Sequence, residues 1–187
     1  MPIKDIPLNK MRHPEYSRDD NWIVDFLQQA QIGHIATWSE EQPYITPTLF
    51  CYDQEKHELY FHSNITGRVQ SNAERHPQVC FEASRAGKLL PSNIALEFSL
   101  QYESVIAFGE IRLVEDEDEK NRTLYGLIKK YFPTMTPGEH YRPITEKELK
   151  HTSVYAIAIQ SWSGKRNWKE RADQGDEWPP LGEEWFD

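Results

Sequence analysis

The chain has 187 residues, 38% of them apolar and 12% aromatic, with a formal net charge of −9. That composition excludes a disordered polymer and suits one domain with a buried core. The acidic balance argues against nucleic acid, whose phosphates need clustered Lys and Arg. No apolar run approaches the ~20 residues of a membrane-spanning helix. The opening MPIKDIPLNKMRHPE lacks the apolar core of a signal peptide, so a cytoplasmic protein without membrane contact is expected.

In chain order, Ser17 is the expected cap of a first helix, with Asp20 three residues on. Trp22, Ile23, Phe26, Leu27 and Ala30 form its apolar face, and Gly33 ends it. HIATW follows as a short strand. Residues 44–52, YITPTLFCY, read as one strand that Pro47 interrupts, because proline donates nothing to a ladder. Asp53–Lys56 make a hairpin turn into a strand over 57–63. A short helix is predicted from Thr66 to Arg75, then a strand at QVCFEAS.

The longest strand is predicted at about 101–114. One of its faces carries Val105, Ala107, Ile111 and Leu113; the other carries Tyr102, Ser104, Ile106 and Phe108. An antiparallel strand that is apolar on both faces needs a second packing partner, such as another subunit. EDEDEKNRTLYGLIKKYFP reads as a helix with acid in its first turn and lysine in its last, as the macrodipole favours. Leu124, Leu127, Ile128 and Tyr131 line its buried side. SVYAIAIQSW is the final strand, and an acidic tail holding Trp178, Trp185 and Phe186 begins at Lys169. Many short strands with few helices between them predict an antiparallel barrel with flanking helices. Cys51 and Cys80 fall in apolar strands and read as reduced, small hydrophobes.

ELYFHSNITGR carries the clearest chemistry. A strand stops at Ser63 and a helix starts near Thr66, so the first helical N–H groups point at whatever lies ahead. Gly67 permits close backbone approach, and Arg68 offers a planar fork of donors suited to phosphate. The same residues also suit an ordinary cap with a solvent-facing arginine. The histidines show no metal-ligand spacing; HExxH, CxxC and GxGxxG are absent, and no metal site is expected.

GHIATWSEEQPYITPTLFCYDQEKHELYFHSNITGR, VCFE, YESVIAFGEIRLVEDEDEK, YRPI and WSGK occur in this order over residues 12–166. The set resembles the flavin-binding split-barrel proteins related to pyridoxamine 5′-phosphate oxidase, nearest the 5-nitroimidazole-resistance (Nim-like) branch. The resemblance implies a mainly β protein with flanking helices, built on a six-stranded antiparallel split barrel over residues 1–168, with 169–187 as a tail. It also implies a homodimer with FMN at the interface, FAD being the other flavin an open groove could take.

On that resemblance Ser63, Thr66 and Arg68 hold the flavin phosphate, while Ala36, Thr37, Pro47 and Thr48 line the ring's polar edge. For those four, plain strand packing is the other reading. Tyr102 and Ser104 approach across the dimer, Trp162 stacks near the ring, and Lys165 reaches an oxygen. The family often has a second basic residue after the arginine; here it is Val69. His62 belongs to the candidate set as a proton donor to a small-molecule substrate, although strand alternation turns it away from Ser63. A satisfied core histidine is its other reading.

An FMN-dependent oxidoreductase is the leading expectation. The alternatives are pyridoxamine 5′-phosphate oxidase itself, and a flavin- or haem-binding module with His62 or His34 as axial ligand. The Arg-Leu-rich segment of the true oxidase is missing from WPPLGEEWFD.

Overall fold

The computed structural model describes residues 6–186. After a short 3-10 turn at Pro14–Tyr16, the elements are β1 (Ser17–Arg18), α1 (Asp20–Gln29), β2 (Gly33–Ser39), β3 (Gln42–Thr48) and β4 (Phe50–Asp53). Then come β5 (Glu58–Asn64), α2 (Arg68–Arg75), β6 (Gln78–Leu90), β7 (Ser99–Leu113), α3 (Glu117–Tyr131), α4 (Glu146–Lys150) and β8 (Thr152–Asn167). All strand pairings are antiparallel, in the order β3-β2-β6-β7-β8-β5-β4, with β1 added to β8. The two ends of that order, β3 and β4, are separated in sequence by Leu49 alone. One nearly continuous stretch of chain therefore belongs to both sheet edges, and this rolls the sheet into a barrel.

The mainly β architecture with flanking helices is the predicted one, but the sheet has eight strands among the described residues instead of six. The run over 44–52 breaks at Leu49 into two strands, and Ser17–Arg18 pairs with Gly164–Lys165. Pro43 and Pro47 are tolerated because β3 bonds β2 only and is an edge. Because Ser17 is committed to this ladder, Asp19 caps α1 instead, accepting from the Trp22 amide at 2.9 Å. Gly33 does not end α1; it opens β2, buried against the Phe81 ring.

The interior is packed by Ile35, Phe50, Leu59, Phe61, Phe81, Val105, Ala107, Tyr155 and Ile157, closed at one end by Ile23, Phe26 and Leu27 of α1. Each of the Val, Leu, Ile and Phe side chains among these contributes about 1.5–3 kcal/mol on burial, and Phe61→Ala would cost about 3–5 kcal/mol. A Cβ on Gly164 would lie 2.6 Å from Ile23, so glycine there lets α1 approach β8. Gly109 sits at a register shift, 2.1 Å from the Ala158 carbonyl if given a Cβ, and admits no side chain.

α3 lies on the outer sheet surface, over Tyr60, Val154 and Ala156, with Leu124 packed against them. After β8 the chain runs back along the β6–β7 connection: Ser92 Oγ donates to the Asp173 carbonyl at 2.7 Å, and Asn93 Nδ2 to Gly175 at 2.9 Å and Trp178 at 3.1 Å. Cys51 and Cys80 are free thiols, half-buried where full burial was expected, and burial pushes Cys51 up to about 11. No helix among the described residues is long and apolar enough to cross a membrane.

Candidate functional site

The N-terminus of α2 is open and uncapped. Gly67 occupies the cap position with extended backbone and no side chain capping the helix. A Cβ there would meet nothing within 4 Å, so the approach to the first amides is clear. Those amides have no helical partner of their own. The Thr66 amide turns back to Asn64 Oδ1 at 3.4 Å. The exposed Arg68 guanidinium donates to Ser39 Oγ at 3.3 Å and lies 5.3 Å from the centre of the Tyr44 ring.

Deeper in the helix, buried Asn72 donates from Nδ2 to Thr37 Oγ1 at 2.8 Å, and Thr37 donates to the Tyr44 carbonyl at 3.3 Å. These bonds seat α2 on the β2–β3 hairpin and bring Arg68 to Ser39, while Ser63 ends β5 a few residues before the helix starts. Ser39, 29 positions before Arg68, had no sequence signal marking it for the site.

The candidates on β2 and β3 divide between two faces, as strand alternation requires. Ala36 lies with His34, Ile45, Cys80 and Glu82 around a cleft of about 350 Å³ on the outer face. Pro47 is the register partner of His34 and shares that face. Thr37 and Thr48 belong to the opposite face: Thr37 is buried against Asn72, and Thr48 donates to the Leu49 carbonyl at 3.1 Å. Between Pro47 and Ile45, the buried Thr46 hydroxyl has no hydrogen-bond partner.

Tyr102, Ser104 and Lys165 form a second group. Ser104 pairs with Lys165 across β7 and β8, and the Lys165 ammonium lies 5.1 Å from the Tyr102 ring centre and 5.7 Å from Tyr16. At about 4.8 Å per strand, β8 stands roughly 14 Å from β2, so one chain does not bring this group to Ala36. Nor does it place Lys165 beside Arg68. Trp162 lies on the other face of β8, paired with Ala107; its Nε1 donates to Asp20 Oδ1 at 2.8 Å and its ring meets His57 at 4.6 Å. Trp162 is thus part of the α1 packing and stands apart from both groups.

His62 points away from Ser63, into a cleft of about 420 Å³ under α3 lined by Leu49, Leu124, Leu127, Ile128, Tyr131 and Arg142. Leu124, Ile128 and Tyr131 are only half-buried because they wall this opening. Burial lowers the His62 pKa and favours the neutral imidazole.

The donors at α2 fit a phosphate: free helical amides, one guanidinium and nearby hydroxyls, with no carboxylate among them. Val69, in the place of the second basic residue, is buried in the barrel core, which leaves Arg68 as the cation at this terminus.

A family model described as pyridoxamine 5′-phosphate oxidase matches residues 19–166, and the chain belongs to that family. No match is found among curated proteins. Among solved structures, the flavocytochrome Anf3 from Azotobacter vinelandii is 25% identical, over 90% of this chain and 76% of that one, with a TM-score of 0.79. The FAD and heme binding protein from Mycobacterium smegmatis is 22% identical, over 87% and 78%, with a TM-score of 0.77. A candidate 5-nitroimidazole antibiotic resistance protein from Bacteroides thetaiotaomicron is 22% identical, over 80% and 86%, at 0.67. These likenesses identify the fold as the split barrel.

Proposed function

We propose that this chain binds FMN and acts as a flavin-dependent oxidoreductase on a small organic molecule, as a homodimer with the flavin between subunits, in the manner of the Nim-like branch. The observation that carries the reading is the uncapped α2 terminus with Arg68 held over it by Ser39 and Tyr44. Family membership and the names of similar structures support it. When bound, the flavin supplies the electron transfer, so the chain needs no nucleophile motif of its own. The chain's own residues bind and orient. Arg68, Ser63 and Thr66 hold the phosphate, and the face bearing Ala36 and Pro47 meets the ring edge. Tyr102, Ser104 and Lys165 serve the site of the facing subunit, since they do not reach this one.

Arg68→Ala tests the phosphate assignment. A hydrogen bond to a charged group is worth about 1.5–3 kcal/mol, so FMN affinity should fall about 10- to 150-fold. Riboflavin, which lacks the phosphate, should be affected far less in the same fluorescence titration. Equal losses for both ligands would remove Arg68 from the phosphate site.

A second reading rests on the α3 cleft: the chain also binds haem, with His62 as axial ligand. A neutral imidazole in a largely apolar cleft suits iron; Arg142 at the rim is paired with Glu148 at 2.7 Å, so a haem carboxylate would displace that partner. A Soret band in the purified protein, lost in His62→Ala while the flavin bands near ~450 nm persist, is the expected result. Loss of flavin from a folded His62→Ala protein would contradict both assignments.

A further inference from the structure

His34 and Glu82 lie 48 positions apart in sequence, yet the β2–β6 register sets them opposite each other, with Nδ1 3.0 Å from a Glu82 oxygen. Both side chains remain partly exposed, in the outer-face cleft with Ala36, Ile45 and Cys80. We propose that His34 and Glu82 form a proton-transfer dyad serving the ligand reduced at this face. This rests on the flavin reading above, which places the ring edge at Ala36 and Pro47.

Three features of the site carry the inference. A carboxylate accepting from Nδ1–H fixes the imidazole's orientation and tautomer and leaves Nε2 free for exchange. The walls beside the pair, Ala36, Ile45 and Cys80, are largely apolar, and the half-exposed imidazole remains within reach of both a ligand and water. The register partner of His34 on β3 is Pro47, itself a candidate for the flavin edge, so the imidazole stands beside the proposed ring position. The groups around His34 are few: Pro47 and Ile45 on β3 are neutral, Ile106 on β7 faces Glu82, and β6 presents Glu82 and the Cys80 thiol. Burial and Glu82 push that thiol upward and keep it protonated.

In the step itself, the imidazolium gives its Nε2 proton to a ligand oxygen or nitrogen and recovers one from water. Glu82 accepts from Nδ1–H throughout and acts as a positioning residue. Quinones and nitro compounds, which gain protons at such atoms on reduction, are the ligand class this suits.

Two measurements decide it. NMR of ¹⁵N-histidine protein should show neutral His34 as the Nδ1–H tautomer, and that preference should weaken in Glu82→Gln. A neutral Nε2–H form in the wild type would overturn the dyad. In the second, protein reduced with dithionite is mixed with menadione and the flavin absorbance is followed across pH. His34→Gln should keep its flavin, react about 10²- to 10⁴-fold more slowly and lose the wild-type pH profile. Glu82→Gln should slow it less and displace the profile. A yellow His34→Gln with wild-type rates at every pH overturns the dyad and spares the flavin reading. A wild type that takes up no flavin overturns both.

Discussion

The outer surface of the barrel has two halves of different kinds. Over β5 and the first part of β8, Tyr60, Val154 and Ala156 are sealed beneath α3, and the polar atoms there are matched among Glu58, Arg112, Glu119 and Lys56. Over β2, β6 and β7, Ala36, Cys80, Tyr102, Ile106 and Phe108 form an apolar surface interrupted by the His34–Glu82 pair, and none of them is fully buried. The chain spends a fifteen-residue helix on the first half, and among the described residues no helix covers the second. Apolar area left uncovered is available to a ligand or a second subunit, whereas Tyr60, Val154 and Ala156 are covered within one subunit.

The strongest way to break this contrast is a charge on the open half. Ile106 is 37% exposed on the single chain and faces Glu82 across the ladder, so Ile106→Asp would cost a lone monomer about 1 kcal/mol. If that face meets its twofold copy around the flavin, the same substitution buries an unpaired charge at a cost of about 3–5 kcal/mol, and dimer and flavin should be lost together. Sedimentation followed at the flavin band reads both at once. A variant that stays dimeric and yellow would return Tyr102, Ser104 and Lys165 to ordinary surface roles.

The same contrast explains how much could be read in advance. The barrel was legible because period-2 alternation is written locally: six predicted runs, ELYFHS and SVYAIAIQ among them, cover seven of its eight strands, one run spanning both β3 and β4. The uncapped helix start at Gly67 was legible for the same reason, since Ser63, Thr66, Gly67 and Arg68 are neighbours in sequence. Residues brought together by register were not. The His34–Glu82 pair and the Ser39–Arg68 bond depend on which strands and hairpins lie side by side, and alternation does not specify that.

Local competition accounts for other differences. Ser17 has cap chemistry, but its backbone is taken by the ladder with β8. α4 had a usable signal in Thr145-Glu-Lys-Glu148, whose reciprocal capping box is formed, and the short helix behind it was missed. Trp162 sits one residue before Ser163 and so on the opposite side from Lys165. Parity alone separates those two candidates, which the family resemblance had grouped.

The smaller perturbation sharpens the covered half. Glu119 is only 12% exposed and accepts from Arg112 at 2.9 Å, from Lys56 at 2.6 Å and from the Tyr60 hydroxyl at 2.6 Å. The Arg112 guanidinium, followed by Lys56 and Tyr60, holds its carboxyl well below the usual carboxylate range. A folded-state pKa below the unfolded value of about 4.3 means the unfolded chain takes up this proton first. The stabilisation is therefore fully present above about pH 4.3 and is lost as the pH falls further toward the folded value. Glu119→Gln removes the charge while keeping the shape, and should cost about 1–3 kcal/mol at neutral pH. Urea unfolding should show that cost shrinking below about pH 4, where the wild type weakens and the variant does not follow. Flavin content should not change, because the network lies under α3 and away from the open face. A Glu119→Gln protein that unfolds like the wild type at neutral pH would mean that α3 is held by its apolar contacts alone. One that loses flavin would mean that the two halves of the outer surface are coupled.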